Sequence, residues 1–246
     1  MLEINIDLGF SMTYIDWKMA ELYGILVGDG YLHKNNHSII IVCSSEEAYY
    51  LKNRVMPFFE NVFDKKPYFA PRKDRNAYYV QVNSKHIVDF FTTTFTMTRG
   101  EKSNYRISKN ILKNKNLMPH FLRGFFDTDG CIKFSKQAKK INYYPRIQFY
   151  FKSGPLSGDL EYILSKLRFN YSSYEDDRFG GLHAIQISGR ENLERWMKIV
   201  GSANLVHITK MLQWKKDGFV APKTKLEERI KYLDINTDTL LNCKRI

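Results

Sequence analysis

The chain is poor in cysteine. Cys43, Cys131 and Cys243 lie far apart among 246 residues, and no CxxC occurs. That spacing argues against a zinc ribbon, a thioredoxin-type pair and a disulfide framework, and it suits a reducing compartment. Long apolar runs are also missing. The longest, such as Ile39 to Cys43, are too short to span a bilayer. The opening residues Met1 to Asn5 lack the basic stretch followed by an apolar one that marks a signal peptide. An intracellular protein with no membrane partner is therefore expected. His33, His37, His86, His120, His183 and His207 show no zinc-like spacing, and there is neither an HNH nor a P-loop signature. Zinc catalysis and nucleotide triphosphate use gain no support.

Acid is scarce relative to base. Lysine and arginine number 38 against 26 acids, a net charge of +12. A soluble protein with that excess commonly meets a polyanion, the alternative being a merely solvated basic surface. The surplus is local. Between Gly130 and Gly158 there is no acid, while Lys133, Lys136, Lys139, Lys140, Arg146 and Lys152 supply half the net charge. What the chain has in quantity is core material, 43% hydrophobic and 15% aromatic residues, which excludes wholesale disorder. The length allows one large domain or two smaller ones.

The sequence repeats itself. Leu22-Tyr23-Gly24-Ile25-Leu26-Val27-Gly28-Asp29-Gly30 returns as Leu122-Arg123-Gly124-Phe125-Phe126-Asp127-Thr128-Asp129-Gly130. Ile39 to Val42 matches Ile147 to Phe151, and Val80-Gln81-Val82-Asn83-Ser84 matches Ile185-Gln186-Ile187-Ser188-Gly189. The offsets are 100, 108 and 105, so a hairpin in the second copy is longer. Each copy reads as helix, hairpin, helix, hairpin, helix. The first helix is expected from about Tyr14 to Val27 with Thr13 as its cap. Capping boxes are expected at Ser44-x-x-Glu47 and Ser188-x-x-Glu191. The expected fold is α+β: two tandem αββαββα repeats, residues 1–116 and 117–216, with a tail over 217–246 that includes a short helix from Leu226 to Leu233.

Gly24 and Gly28 lie four apart on one helix face, and Gly124 and Thr128 repeat the spacing. Glycine costs about 1 kcal/mol in a helix interior. Small residues on one face let two backbones approach, as in close-packed membrane helices. The two motif helices are thus expected to pair with pseudo-two-fold symmetry at the interface between copies. Asp29 and Asp129 end these helices, each followed by a glycine suited to the C′ position. Two carboxylates meeting at two negative helix ends need a positive partner. A divalent metal with oxygen ligands supplies it, and beside a basic surface this describes phosphodiester hydrolysis.

The twin nonapeptides resemble the signatures of the LAGLIDADG homing endonucleases in their monomeric two-repeat form, over nearly the whole chain from Ala20 to Trp214. The resemblance implies a saddle of two antiparallel sheets in the major groove of double-stranded DNA. It also implies Mg²⁺-dependent cleavage of both strands with short 3′ overhangs (Mn²⁺ or Ca²⁺ substituting in binding) and a long asymmetric target. On that basis Asp29 and Asp129 hold metal, with Gly28 and Thr128 beside them as further ligands. Val27 cannot bind metal, so its counterpart Asp127 reads as structural. Lys102 stands where a catalytic lysine precedes the second repeat; Lys210 or His207 occupies the matching stretch. Where many members carry glutamine this chain has Ser44 and Lys152. An RNA maturase, or an inactive binding protein on the same fold, is the alternative.

Strand alternation selects the DNA-facing residues. In the second copy these are Lys133, Ser135, Gln137, Lys139, Arg146, Gln148, Tyr150, Lys152, Arg178 and Gln186. In the first copy they are Tyr31, His33, Asn35, Arg72, Arg75, Tyr79 and Gln81. Arginine and glutamine read base edges, while lysine mostly neutralises phosphate. The strand Ile39 to Val42 is apolar throughout and shows no DNA-facing register.

Overall fold

The structure, a computed structural model, describes residues 15–102, 105–176 and 182–237. The first copy runs α1 (Trp17–Gly28), β1 (Gly30–Leu32), β2 (Ser38–Ser44), a 3-10 turn (Ser45–Glu47), α2 (Ala48–Tyr50), a π turn (Leu51–Val55), α3 (Met56–Phe63), β3 (Tyr68–Pro71), β4 (Ala77–Asn83) and α4 (Lys85–Thr94). The short α5 (Lys109–Leu112) leads into the second copy. There follow α6 (Met118–Asp129), β5 (Gly130–Ser135), β6 (Tyr144–Lys152), α7 (Pro155–Lys166), β7 (Ser172–Asp176), β8 (Leu182–Ser188) and α8 (Arg190–Ile199). Helices α9 (Leu205–Asp217) and α10 (Leu226–Leu233) close the described chain.

The fold is α+β, with two antiparallel four-stranded sheets of order β1-β2-β4-β3 and β5-β6-β8-β7. Their registers correspond residue for residue. Gly30 pairs with Ile41 and Ile41 with Val80; Gly130 pairs with Phe149 and Phe149 with Ile185. The three offsets seen between sequence anchors are therefore also those of the strand ladders. Ile39, Ile41, Val80 and Val82 in one sheet, and Ile147, Phe149, Ile185 and Ile187 in the other, are buried in one common core beneath the helices.

Several helix ends differ from expectation. Helix α1 starts at Trp17, with Asp16 accepting from the Met19 amide at 2.9 Å; Tyr14 and Thr13 lie outside the described residues. Ser84 caps α4 as a local acceptor, while Ser188 does not cap α8. Ser188 belongs to β8, where its hydroxyl accepts from Gln186 Nε2 at 2.9 Å. The cap of α8 is Gly189, at φ 100°, a left-handed conformation that excludes most side chains. At Ser44 the expected capping box with Glu47 forms, the Ser44 hydroxyl and amide both donating to the Glu47 carboxylate, at 2.8 and 3.3 Å.

Helices α1 and α6 pair through their glycines. A β-carbon on Gly24 would lie 2.9 Å from the Phe125 amide nitrogen, and one on Gly124 would lie 2.9 Å from that of Ile25. Gly28 faces the hydroxyl of Thr128. Gly30 and Gly130 are needed for a different reason from the one expected. Gly130 is extended (φ −94°) rather than left-handed. Instead, a β-carbon on either would collide with the preceding helix, 2.6 Å from the Leu26 carbonyl or 2.7 Å from that of Phe126.

Candidate active site and nucleic-acid interface

The paired helices deliver Asp29 and Asp129 to one place. Asp29 is the C-cap of α1, its amide donating to the Ile25 carbonyl, and Asp129 is the last residue of α6. Burial pushes the Asp29 carboxyl up to about 7, helped by the charges of Asp129 and Glu47 and opposed by Lys102. Burial raises Asp129 as well, again against Lys102. Each acid thus sits in a low-dielectric place, at a negative helix end, beside another acid.

Lys102 is the cation that answers them. The loop carrying it is pinned by the Gly100 amide, which donates to the Leu32 carbonyl at 2.8 Å. Gly100 adopts φ 84°, which a side chain would strain. The Lys102 ammonium donates to the Val27 carbonyl at 3.0 Å and to the Gly28 carbonyl. Burial lowers its basicity while both aspartates raise it. A cleft of about 370 Å³ opens here, lined in part by Lys102, Asp129, Tyr150 and Lys152.

Among the described residues no group of three or more His, Cys, Asp and Glu side chains converges as a metal cage. The donor set nonetheless fits a hard divalent cation. Two crowded carboxylates, one held near neutrality by burial, need positive charge, and magnesium completes its shell with water and substrate phosphate rather than protein. Thr128 contributes no free hydroxyl, since it donates to Gly124 and Phe125 carbonyls, both at 3.1 Å. The Gly28 carbonyl is engaged by Lys102.

A family model for the LAGLIDADG-like domain matches residues 117–201. Among solved structures, I-DmoI in complex with DNA and Ca aligns at TM-score 0.53 and 20% identity, covering 72% of this chain and 86% of that one. The K262A mutant of I-SmaMI aligns at 0.56 and 10% identity, covering 93% and 100%. The N-terminal LAGLIDADG domain of DUF199/WhiA aligns at 0.51 and 11% identity, covering 77% and 84%.

The chain has the two-repeat LAGLIDADG fold.

Two curated relatives come from Methanocaldococcus jannaschii. Glutamine–fructose-6-phosphate aminotransferase (isomerizing) is 23% identical over 191 residues, which is 75% of this chain and 16% of that protein. Replication factor C small subunit is 28% identical over 218 residues, 85% and 11%. The chain therefore spans only a small part of each.

The other residues singled out from sequence fall into groups. Asp127 is buried and structural. It accepts from the Ser202 hydroxyl and, at 2.7 Å, from the Ala203 amide, so it anchors the start of α9. His207 is buried against Phe126, its Nδ1 3.6 Å from Asp127, and so serves the core rather than the acid pair. Lys210 is desolvated, and the groups acting on it are Arg229, Cys131, Glu46 and Glu47 rather than the two aspartates. Lys152 pairs with Glu101 at 3.2 Å on the surface.

The register places Lys133, Ser135, Arg146, Gln148, Tyr150, Lys152 and Gln186 on the helix-free face of the second sheet. Gln148 Nε2 donates to Gln186 Oε1 at 2.7 Å, and Arg146 reaches the same oxygen at 3.5 Å. Gln137 and Lys139 lie beyond β5, in the hairpin turn, so strand phase does not extend to them. Arg178 lies outside the described residues. In the first sheet Tyr31, Tyr79 and Gln81 share the open face. His33 and Asn35 sit in the β1–β2 turn, where His33 Nδ1 accepts from the amides of Asn35 and Asn36 at 3.2 and 3.1 Å. Arg72 and Arg75 occupy the β3–β4 turn, Arg72 paired with Asp74 at 2.8 Å.

Two site residues escaped the sequence reading. Glu47 acts on Asp29 electrostatically and accepts from Asn204 Nδ2 at 2.9 Å. That same nitrogen donates to the Asp127 carbonyl at 2.9 Å, tying both copies together beside the acids. The capping-box spacing explained Glu47 locally and hid its second role. The tail also has a place. Leu226 and Ile230 pack on Leu205, Ile208 and Tyr49, and the Leu226 amide donates to Glu46 at 3.2 Å.

Proposed function

We propose that the protein is a homing-type endonuclease, a monomer that cuts double-stranded DNA at a long, asymmetric site and leaves short 3′ overhangs. The observation that carries this reading is the meeting of Asp29 and Asp129 at the ends of two packed helices, each crowded enough to demand a cation. Both sheets also present an open face, one rich in Lys, Arg and Gln. I-DmoI, which shares the fold, was solved with DNA and Ca or Mn. The names of the two curated relatives describe unrelated chemistries, so the segment they share with this chain does not account for both.

Asp29 and Asp129 would hold the divalent ion, Mg²⁺ by preference with Mn²⁺ or Ca²⁺ substituting in binding. When bound, the metal polarises the scissile phosphate and lowers the pKa of water. The chain's own residues do the rest. Lys102, desolvated beside both acids, offers a proton-holding cation at the phosphate. Its Nζ hydrogen bonds to Val27 and Gly28 fix where that charge stands. Lys152, on the rim of the same cleft, contacts the DNA backbone. Two unlike copies in one chain read two unlike half-sites, so a single chain suffices.

The test is incubation of purified protein and Mg²⁺ with a library of randomised duplexes, followed by end mapping of cut products. A single family of cut sites with 3′ overhangs is expected. The Asp29→Asn, Asp129→Asn double variant should bind the selected duplex and cut nothing. Absence of any cut duplex, or persistent cutting by the double variant, overturns the reading.

A further inference from the structure

The two open sheet faces are related position by position, and their chemistry is opposite. In the first sheet Tyr31 pairs with Ile40 and Ile40 with Gln81, while Val42 pairs with Tyr79. The register equates Ile40 with Gln148, Val42 with Tyr150, Ser38 with Arg146 and Ser44 with Lys152. Gln81 and Gln186 are the one hydrogen-bonding pair both sheets keep at the centre. Nowhere on the open face of β1 to β4 does a lysine or arginine stand. Cations stand instead at the strand ends, in Lys34, Arg72, Lys73, Arg75 and Lys85.

The apolar character is not a disguised core. Ile39 and Ile41 are 1% exposed and belong to the core, whereas Ile40 and Val42 alternate with them and do not. Tyr31 is 39% and Tyr68 60% exposed. Ile40 and Gln81 line an open groove of about 700 Å³ that also includes His33 and His37.

We infer that the first copy reads its half-site chiefly through thymine methyl groups, while the second copy reads purine edges through hydrogen bonds. This rests on the nuclease reading above and specifies its substrate. In the major groove thymine alone presents a methyl, and apolar side chains are its natural contact; guanine and adenine present acceptors and donors matched by Arg and Gln. Ile40, Val42, Tyr31 and Tyr79 offer apolar surface with a rim of cations to hold the phosphates. Arg146 and Gln186, with the buried Gln148 donating to Gln186 from beneath, offer a connected set of donors and acceptors. Gln81 is left to select adenine within an otherwise methyl-lined half.

The experiment uses the duplex isolated by library selection. Uracil replaces thymine in one half-site at a time, deleting only the methyl, and 7-deazapurines replace purines in the other arm. Cross-linking from 5-bromouracil to Tyr31 or Tyr79, mapped by mass spectrometry, assigns the half bound by the first copy. Uracil in that half should weaken binding about four-fold per buried methyl, and 7-deazapurines should act mainly in the other half. Ile40→Gln, which copies the residue at the matching position of the second sheet, should abolish the uracil effect at the base it faces, with an unchanged circular dichroism spectrum. If a duplex is bound and cut but uracil has no effect, or acts in the half bound by the second copy, the inference is overturned while the nuclease reading stands. If no duplex is cut at all, it is the nuclease reading that fails.

Discussion

Gly24 and Gly124 each face the backbone of the other's helix, with room for a hydrogen and not for a methyl group. This contact sets the separation of α1 and α6, and hence where the two aspartates meet. Gly24→Ala or Gly124→Ala must push the helices apart. Overpacking of that kind costs about 1–3 kcal/mol, and urea unfolding should show it. Gly158, in the interior of α7 with nothing within 4 Å of a built β-carbon, is the internal control. Gly158→Ala should stabilise by about 0.5–1 kcal/mol.

Within the same helix pair, Glu21 is fully buried between two arginines. Arg54 Nε and Nη2 each donate to it at 2.9 Å, and Arg123 Nε donates at 2.8 Å. Burial alone would raise this carboxyl; Arg123 and Arg54 outweigh burial and hold it below the usual carboxylate range. Glu21→Gln strands two guanidinium groups and should cost about 3–5 kcal/mol in a denaturant titration. A lowered folded-state pKa gives stability that is present above the unfolded value. Wild-type stability should therefore fall as pH drops below about 4, and the variant should lose part of that acid sensitivity.

The repeat and the pairing of the motif helices are legible in the sequence because each is a local pattern written twice, and the phase of β6 because apolar and polar residues alternate along it. Asp127 was read correctly as structural from the mismatch with Val27. What was not legible depended on contacts across copies. Glu21 looks like any acid in a helix, and only the fold brings Arg54 and Arg123 to it. Glu47 satisfied a local capping pattern, so nothing pointed to Asn204, more than 150 residues away. The register of β2 was hidden because Ile39 to Val42 is apolar on both faces, and only strand pairing shows that Ile40 and Val42 face outward.

Asp29 should make the metal-free protein more stable at mildly acidic pH than at neutral pH. Its folded-state pKa is raised to about 7 by burial first and then by Asp129 and Glu47, whereas the unfolded value is about 3.9. Between those values the folded state holds a proton that the unfolded state has lost, so stability falls as pH rises through that window. In EDTA, Tm should be higher near pH 5 than near pH 8, by about 2–4 °C for each kcal/mol. Asp29→Asn should flatten the dependence and raise Tm at pH 8. Titrating Mg²⁺ into wild-type protein at pH 6 should release protons, detectable calorimetrically in buffers of different ionisation enthalpy, and Asp29→Asn should release fewer.

Salt dependence separates the roles of the second sheet's residues. Lys133 is exposed and pairs across the ladder with Arg146, and it is placed to neutralise one phosphate. Each such contact contributes about −0.9 to the slope of log K against log salt. Lys133→Gln should therefore make the slope shallower by about one and weaken binding equally on cognate and unrelated duplexes. Gln148→Ala removes no charge. It breaks the 2.7 Å bond to Gln186 and leaves that amide held only by Ser188 and, more weakly, Arg146. Its effect should appear as about 1–3 kcal/mol of lost discrimination between cognate and mismatched duplexes, at an unchanged salt slope. Fluorescence anisotropy across a salt series with both duplexes measures the two quantities together, and equal weakening on both duplexes in Gln148→Ala would place that residue on phosphate instead of a base.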